Sequence, residues 1–186
     1  MKISLIIPHM FSEEADAALE RCLESFKGQY DELILIINDG MGYGQAVNMG
    51  LKWGTGDYFI ISNNDIELKF GSLRTMPWAK GISVPIIEPE PRDYLPRAIF
   101  CIPRWAYKQI SSCGYFYDPQ FKVGFWEDDD LIRRLGDIKV IKEDSVLVNH
   151  LNGGGLTMKK MGEQKYFEEN KQHYINKWEL LGKNII

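Results

Sequence analysis

Cysteine is scarce in this chain, and the positions of its cysteines exclude several classes of protein. The 186 residues include 3 cysteines, Cys22, Cys101 and Cys113, which are an odd number and lie far apart. No CxxC pair occurs, so the pattern favours neither a zinc ribbon nor a disulfide framework. We therefore expect reduced, mostly buried thiols, as in proteins of the cytoplasm.

An excess of positive charge and long apolar runs are also lacking. The chain has 22 Lys and Arg residues against 26 Asp and Glu residues, a formal net charge of -4, and so lacks the basic footprint of a nucleic-acid-binding protein. The first apolar run, residues 3–7, is too short to cross a membrane, and no signal-peptide pattern follows it. We therefore expect no nucleic-acid partner, no integral membrane segment and a cytoplasmic location.

The residues that are present are those of an ordinary globular protein. Hydrophobic residues make up 45% and charged residues 26% of the chain, which argues against wholesale disorder. A chain of this length can bury a hydrophobic core without disulfides or zinc. We expect a single domain over residues 1–186.

The first third of the chain alternates short apolar runs with helical patterns. Strands are predicted at Ile3–Ile7, Leu33–Ile37 and Tyr58–Ile61, with a helix after an N-cap at Ser12 and a second helix over Tyr43–Trp53. This β-α-β-α-β order is typical of a parallel sheet covered on both faces. Farther along the chain, strands are predicted at 82–87, 98–102 and 146–148, and helices at 105–110, 128–135 and about 159–181.

Polar residues follow three consecutive strands. They are His9, then Asn38-Asp39, then Asn63-Asn64-Asp65, and ligands of such sheets bind beyond these carboxyl ends. One carboxylate together with substrate phosphates is a common arrangement around magnesium or manganese. The alternative for Asp65 is a polar turn in which backbone amides satisfy the carboxylate.

Four consecutive acids, Glu127-Asp128-Asp129-Asp130, open a predicted helix. Their mutual repulsion can raise one pKa and provide a general base. The alternative is an overcharged helix start that faces solvent. Arg133 and Arg134 lie on the next turn and can offset the charge.

Two glycine-containing segments and one helix face are further features of the sequence. His150 follows a predicted strand and precedes Gly153-Gly154-Gly155, which is either a phosphate-binding or hinge segment or a flexible turn. Gly42-Tyr43-Gly44 lacks the third glycine of a dinucleotide fingerprint, because Val47 occupies that position. The last predicted helix places four residues along one side: Phe167, Asn170, Tyr174 and Trp178.

In order and spacing, the motifs of the first half resemble those of the family 2 glycosyltransferases, which have the GT-A fold. Residues 3–8 are similar to the family's first strand, and Asn38-Asp39-Gly40 resembles its nucleoside-binding turn. Residues 44–51 resemble the helix before the metal-binding DXD motif, with which Asn63-Asn64-Asp65 aligns, and Asn63 replaces the first acid of that motif. The resemblance implies five donor-binding residues: Pro8, Asp39, Asn48, Asn63 and Asn64.

The second half carries the acceptor-side motifs of the same family. Residues 114–131 resemble the segment that ends in the ED motif, here Glu127-Asp128, whose aspartate is the base in relatives. Residues 148–157 resemble the closing segment, in which a histidine, here His150, approaches the metal and the diphosphate. The resemblance implies catalysis by Asp128 and Glu127 and a metal held by Asp65 and His150.

We therefore expect an α/β fold of the GT-A type, with a Rossmann-like, mostly parallel central sheet and helices on both faces. The implied activity is metal-dependent, inverting transfer of a sugar from a nucleotide-diphosphate donor to a hydroxyl of a glycan, lipid-linked or protein acceptor. The implied cofactor is Mn²⁺ or Mg²⁺. Three alternatives stay open: a non-catalytic nucleotide-sugar or glycan-binding module of the same fold, a nucleotide-dependent oxidoreductase without its fingerprint, and an interaction protein.

Overall fold

A seven-stranded mixed sheet forms the centre of the structure, a computed structural model that describes residues 1–38, 40–89, 97–151 and 163–182. Its strands, in chain order, are β1 Ile3–His9, β2 Glu32–Ile37, β3 Tyr58–Ser62, β4 Ile66–Phe70, β5 Ile82–Glu88, β6 Ile99–Pro103 and β7 Val140–His150. The helices are α1 Glu13–Ser25, α2 Tyr43–Trp53, α3 Arg104–Ile110, α4 Glu127–Arg134 and α5 Glu163–Leu180. Short 3₁₀ turns lie at Leu73–Thr75, Trp78–Lys80 and Ser111–Cys113.

The strand order is β2-β1-β3-β6-β5-β7-β4. β1 pairs in parallel with β2 and β3, and β5 pairs in parallel with β7, whereas β6 is antiparallel to both β3 and β5. β4 lies at the edge, antiparallel to β7. Of the described strands, five therefore run in one direction and only β6 and β4 oppose them, which confirms the expected α/β fold with its mostly parallel sheet.

The local signals of the first third account for its elements. Every residue of β1 is buried, as expected for a continuous apolar run in the middle of a parallel sheet. The hydroxyl of Ser12 accepts a hydrogen bond from the Ala15 N–H at 3.2 Å, which confirms the predicted N-cap. Ala18 and Cys22 then face the core from α1.

Glycines allow α2 to approach its neighbours closely. A Cβ on Gly50 would overlap the Ile6 side chain of β1, and a Cβ on Gly44 would lie 2.9 Å from the Cβ of Tyr117. Real side chains do not pack at such distances, so α2 can contact both the sheet and the segment around Tyr117 only because these positions lack a side chain.

β4 and β7 differ from the sequence prediction. No strand was expected at Ile66–Phe70, and the last strand was expected only over residues 146–148, whereas β7 spans Val140–His150. Residues 142–145 are polar and mostly exposed, so no apolar run marks this part of β7. Pairing holds it as a strand: β7 lies between β5 and β4, with a register shift between Pro85 and Ile86 of β5.

The remaining predictions need smaller corrections. α4 begins at Glu127 rather than Asp128 and ends at Arg134, and the predicted residues 159–162 of the last helix lie outside the described residues. All three cysteines are free, and two are buried. Within the described part of the chain, no helix combines the length and apolar character needed to cross a membrane.

Candidate active site

Polar side chains meet at the carboxyl ends of the parallel strands. β1 ends at His9, β7 ends at His150, and Asn63, Asn64 and Asp65 follow β3. Nδ2 of Asn64 lies 3.0 Å from Nδ1 of His9, and Nδ2 of Asn63 lies 3.5 Å from Nε2 of His150. Since these three strands run in the same direction, their ends share the edge of the sheet at which ligands of α/β proteins bind.

Asp65 and His150 form a buried contact between a carboxylate and an imidazole. Nε2 of His150 lies 3.1 Å from Oδ1 of Asp65, and the two side chains are only 3% and 5% exposed. The pairing of β4 with β7 causes the contact, because it places Ile66 opposite His150, while the Leu151 N–H donates to the Asp65 carbonyl at 2.9 Å. Among the described residues, the Asp65 carboxylate therefore contacts an imidazole, in contrast to the polar-turn alternative.

The spacing of this pair suits two ligands of one divalent ion. Adjacent ligands of an octahedral ion, each about 2.1 Å from it, are separated by about 3 Å, close to the 3.1 Å between Asp65 Oδ1 and His150 Nε2. In the described ranges, no group of three or more His, Cys, Asp and Glu side chains is arranged to hold a metal. The pair could therefore supply two ligands to a divalent ion, and substrate phosphates would have to supply others, as is usual for magnesium.

The other predicted donor-binding residues have different surroundings. Asp39 lies outside the described residues, and Pro8 is buried within β1, opposite Ile36 of β2. Both polar atoms of the Asn48 amide, in α2, bond to the backbone of residues 116–117. Its Nδ2 donates to the Tyr117 carbonyl at 2.7 Å, and its Oδ1 accepts from the N–H groups of Phe116 and Tyr117. The structure thus shows Asn48 holding this segment, and its contact with a donor stays a prediction.

The acidic start of α4 faces solvent only in part, since the Asp129 side chain is 45% exposed while two of the other acids are buried. Glu127 is 5% exposed and Asp130 is fully buried. Burial, together with the charges of Asp128 and Asp129, holds the pKa of the Glu127 carboxyl well above its ordinary value. Asp128 accepts a hydrogen bond from the Tyr117 hydroxyl at 3.0 Å. The two neighbouring carboxyls therefore occupy different environments, as do pairs of carboxyls that divide acid and base roles in enzymes.

Tyr43 is the first residue of α2. Its hydroxyl is buried and has no hydrogen-bond partner among the described residues. Burial and the negative charges of Asp128, Glu127 and Asp65 raise the pKa of this phenol well above its ordinary value. The charges of all three carboxyls thus influence the pKa of this one phenol.

An unusual loop leads into α4. Val123, Phe125 and Trp126 have φ values of 65°, 74° and 67°. These values lie in the left-handed region, which residues other than glycine rarely adopt. Strain of this kind persists where surrounding contacts over-determine it, often at functional sites. Here it lies directly before Glu127 and Asp128.

Asn170 of α5 supplies those contacts. Its Nδ2 donates to the carbonyls of Lys122 and Gly124 at 2.8 Å and of Phe125 at 3.2 Å, and its Oδ1 accepts from the Lys122 N–H at 2.9 Å. Asn170 is 1% exposed. The sequence carried the signal, a single asparagine on an aromatic helix face, because a buried amide needs hydrogen-bond partners.

A second contact fixes α5 against α4. Lys177 lies 2.8 Å from Asp118 and 2.7 Å from Asp130, and Arg134 lies 2.8 Å from Asp130. Although burial lowers the pKa of Lys177, its hydrogen bonds to the two aspartates raise the pKa above its ordinary value. Asp130 is therefore an ion-paired structural residue, and Arg134 offsets the acidic charge as predicted.

Comparison with known proteins identifies the fold. No protein-family model matches the chain, and no curated protein matches its sequence, but solved structures of glycosyltransferases do match its structure. A Drosophila β-1,4-galactosyltransferase 7 mutant, in complex with manganese, UDP-Gal and xylobiose, superposes with a TM-score of 0.66 at 15% identity, over 92% of this chain and 79% of the other. The chain thus has the fold of GT-A glycosyltransferases, and membership of family 2 stays a prediction.

Two further structures show the same likeness. GalNAc-T7 with UDP, GalNAc and Mn²⁺ gives a TM-score of 0.70 at 13% identity, over 96% of this chain and 48% of the other. The mannosyltransferase PcManGT from Pyrobaculum calidifontis, in complex with GDP-Man and Mn²⁺, gives a TM-score of 0.58 at 13% identity. The superposition covers 86% of this chain and 59% of the other. The chain therefore spans about half of each of these two proteins.

Proposed function

We propose that this chain is a metal-dependent, inverting glycosyltransferase that moves a sugar from a nucleotide-diphosphate donor to an acceptor hydroxyl. The proposal is supported by the buried Asp65–His150 contact and by the buried Glu127 beside Asp128, in a GT-A fold. The three similar glycosyltransferases above contain manganese together with UDP, UDP-Gal or GDP-Man, which supports a divalent ion and a nucleotide donor.

On the donor side, Asp65 and His150 would hold Mn²⁺ or Mg²⁺ at the diphosphate. The ion, when bound, would offset the charge that develops on the leaving diphosphate. Asn63 and Asn64 lie beside the pair and can donate hydrogen bonds to phosphate oxygens, and Asp39 is proposed to bind the nucleoside. Because Asn63 is neutral, this site has one negative charge fewer than a motif with two aspartates.

On the acceptor side, Asp128 is the proposed general base. As the acceptor oxygen attacks the anomeric carbon, its proton passes to the Asp128 carboxylate, and the bond between the anomeric carbon and the diphosphate oxygen breaks. A single displacement of this kind inverts the configuration. Glu127, whose raised pKa favours its neutral form, can donate a hydrogen bond to the acceptor.

The test is donor turnover with Mn²⁺, using UDP-galactose, UDP-GalNAc and GDP-mannose. We expect turnover of at least one donor, its loss with chelator, and a decrease of roughly 100-fold or more in Asp128→Asn, because this near-isosteric amide cannot accept the proton. Donor affinity should change little. Full activity of Asp128→Asn would remove Asp128 from the mechanism, and nucleotide binding without any turnover would favour the non-catalytic module.

A further inference from the structure

Tyr117 is a large, completely buried side chain beside the acidic start of α4. Its hydroxyl donates to Oδ1 of Asp128 at 3.0 Å. Burial and the charges of Asp128 and Glu127 raise the pKa of this phenol well above its ordinary value. The hydroxyl therefore keeps its proton at neutral pH and acts as a donor to the carboxylate.

Asn48 of α2 holds the backbone of Tyr117. Asn48 makes three hydrogen bonds to residues 116–117, at 2.7, 2.9 and 3.2 Å. The missing side chain of Gly44 lets α2 approach, since a Cβ there would lie 2.9 Å from the Tyr117 Cβ. Three independent features, an amide, a glycine and a hydroxyl, thus determine where the Tyr117 side chain points.

Ring contacts complete the support. The Tyr117 ring packs edge-on against Tyr43, with centroids 5.9 Å apart, and against Phe116, with centroids 5.1 Å apart. A ring enclosed in this way has little rotamer freedom, so its hydroxyl offers Asp128 a fixed hydrogen-bond donor.

We propose that Tyr117 is a positioning residue for the Asp128 carboxylate, and that Asn48 of α2 supports it. The proposal deepens the proposed function and rests on it for the role of Asp128 as base. The hydrogen bond fixes the rotation of the carboxylate and stabilises its charged form, which is the form that can take the acceptor proton. The titratable groups that face the Tyr117 hydroxyl are Asp128 and Glu127 of α4 and Tyr43 of α2.

The decisive variant is Tyr117→Phe, which keeps the ring and removes the hydroxyl. We would follow the titration of the Asp128 carboxyl carbon by NMR in protein labelled at aspartate, and assign the resonance with Asp128→Asn. A hydrogen bond to a charged group favours the ionised form, so we expect the titration midpoint to rise by about one pH unit in Tyr117→Phe. The matched control is Tyr107→Phe, in a ring that packs on Phe59 and Phe116, and its midpoint should equal that of the unmodified protein.

An unchanged Asp128 midpoint in Tyr117→Phe overturns the proposal, even if the variant is less stable, because a merely structural role would alter stability alone. Activity is the second measurement: the acidic limb of the pH profile for donor turnover should move in the same direction, with the apparent KM for the donor unchanged. The proposed function fails separately, through absent turnover or a fully active Asp128→Asn, and the NMR titration does not depend on turnover.

Discussion

At the scale of single residues, the site is defined by how differently its carboxyls are surrounded. Asp65 contacts an imidazole, Asp128 accepts from a phenol, Asp130 is paired with Lys177 and Arg134, and Glu127 is buried with one carboxyl oxygen that has no described partner. Each of these carboxyls therefore has different neighbours. The consequences can be measured one residue at a time.

Glu127 should make the folded protein less stable as the pH rises. Its pKa is well above the ordinary value of 4.5 in the fold, so its contribution to stability is complete below about pH 4.5 and is lost as the pH rises through the folded pKa. Glu127→Gln has no proton to lose. We expect the melting temperature of the variant relative to the unmodified protein to increase between about pH 5 and about pH 8.

Thermal unfolding at several pH values measures this difference. Glu168→Gln, at an exposed position of α5, is the control and should show a difference that does not vary with pH. If the Glu127→Gln difference is equally flat, the carboxyl is ionised in the fold throughout the range.

His150 should contribute to metal affinity. His150→Ala removes one of two proposed ligands, so the Mn²⁺ concentration that gives half-maximal donor binding should increase by roughly tenfold or more. Titration of Mn²⁺ in the presence of nucleoside diphosphate measures the midpoint. His173→Gln, which removes an imidazole that lies 3.3 Å from Asp118, should leave the midpoint unchanged, and an unchanged midpoint in His150→Ala would exclude the ligand role.

At the scale of elements, α5 contacts both α4 and the loop that leads into it, although α5 is the last of the described elements. Asn170 binds the loop before α4, and Lys177 binds the buried Asp130 within α4. Two polar side chains of a helix that packs through Phe167, Tyr174 and Trp178 thus hold the loop and the helix that carry the proposed catalytic pair.

Replacement of Asn170 should therefore destabilise the protein and lower activity together. Asn170→Ala removes the amide that bonds the Gly124 and Phe125 carbonyls and the Lys122 N–H, which should cost about 2–4 kcal/mol. The loop then loses side-chain hydrogen bonds that hold its left-handed residues. Urea unfolding and donor turnover are the measurements, and Asn176→Ala on the same helix, whose amide bonds only to Gln172 at an exposed position, should change stability by about 0.5 kcal/mol or less.

At the scale of the whole molecule, binding of metal and nucleotide should be coupled. UDP or GDP with Mn²⁺ at about 100 times its Kd should stabilise the fold by about 2.7 kcal/mol, a rise of roughly 5–10 °C in melting temperature for a chain of this size. Either component alone should give a smaller shift, because the proposed ion joins the protein to the diphosphate.

Asp65→Asn is the control for this coupling, since it keeps the shape of the side chain but removes its charge. We expect the variant to lose the Mn²⁺-dependent part of the shift. Equal stabilisation by nucleotide with and without chelator would mean binding that does not need a metal, and the neutral Asn63 would then be its physical explanation.

The order of strands and helices in the first half and the polar strand ends could be read from the sequence alone, because periodicity, caps and apolar runs are local properties. The same local signals marked Glu127–Asp128 at a helix start and His150 at a strand end. The ordered motifs predicted the GT-A fold, which the solved structures confirm.

Local sequence signals did not determine which of these residues meet, although the family resemblance implied that Asp65 and His150 share a metal. The contact of Asp65 with His150 depends on the edge strand β4, which pairs with β7. No apolar run in the sequence predicts this strand. The ion pair of the buried Asp130 depends on Lys177, which comes from α5. Local propensity does not encode such pairings, because their free energy comes from hydrogen bonds and burial that arise only when distant segments pack together.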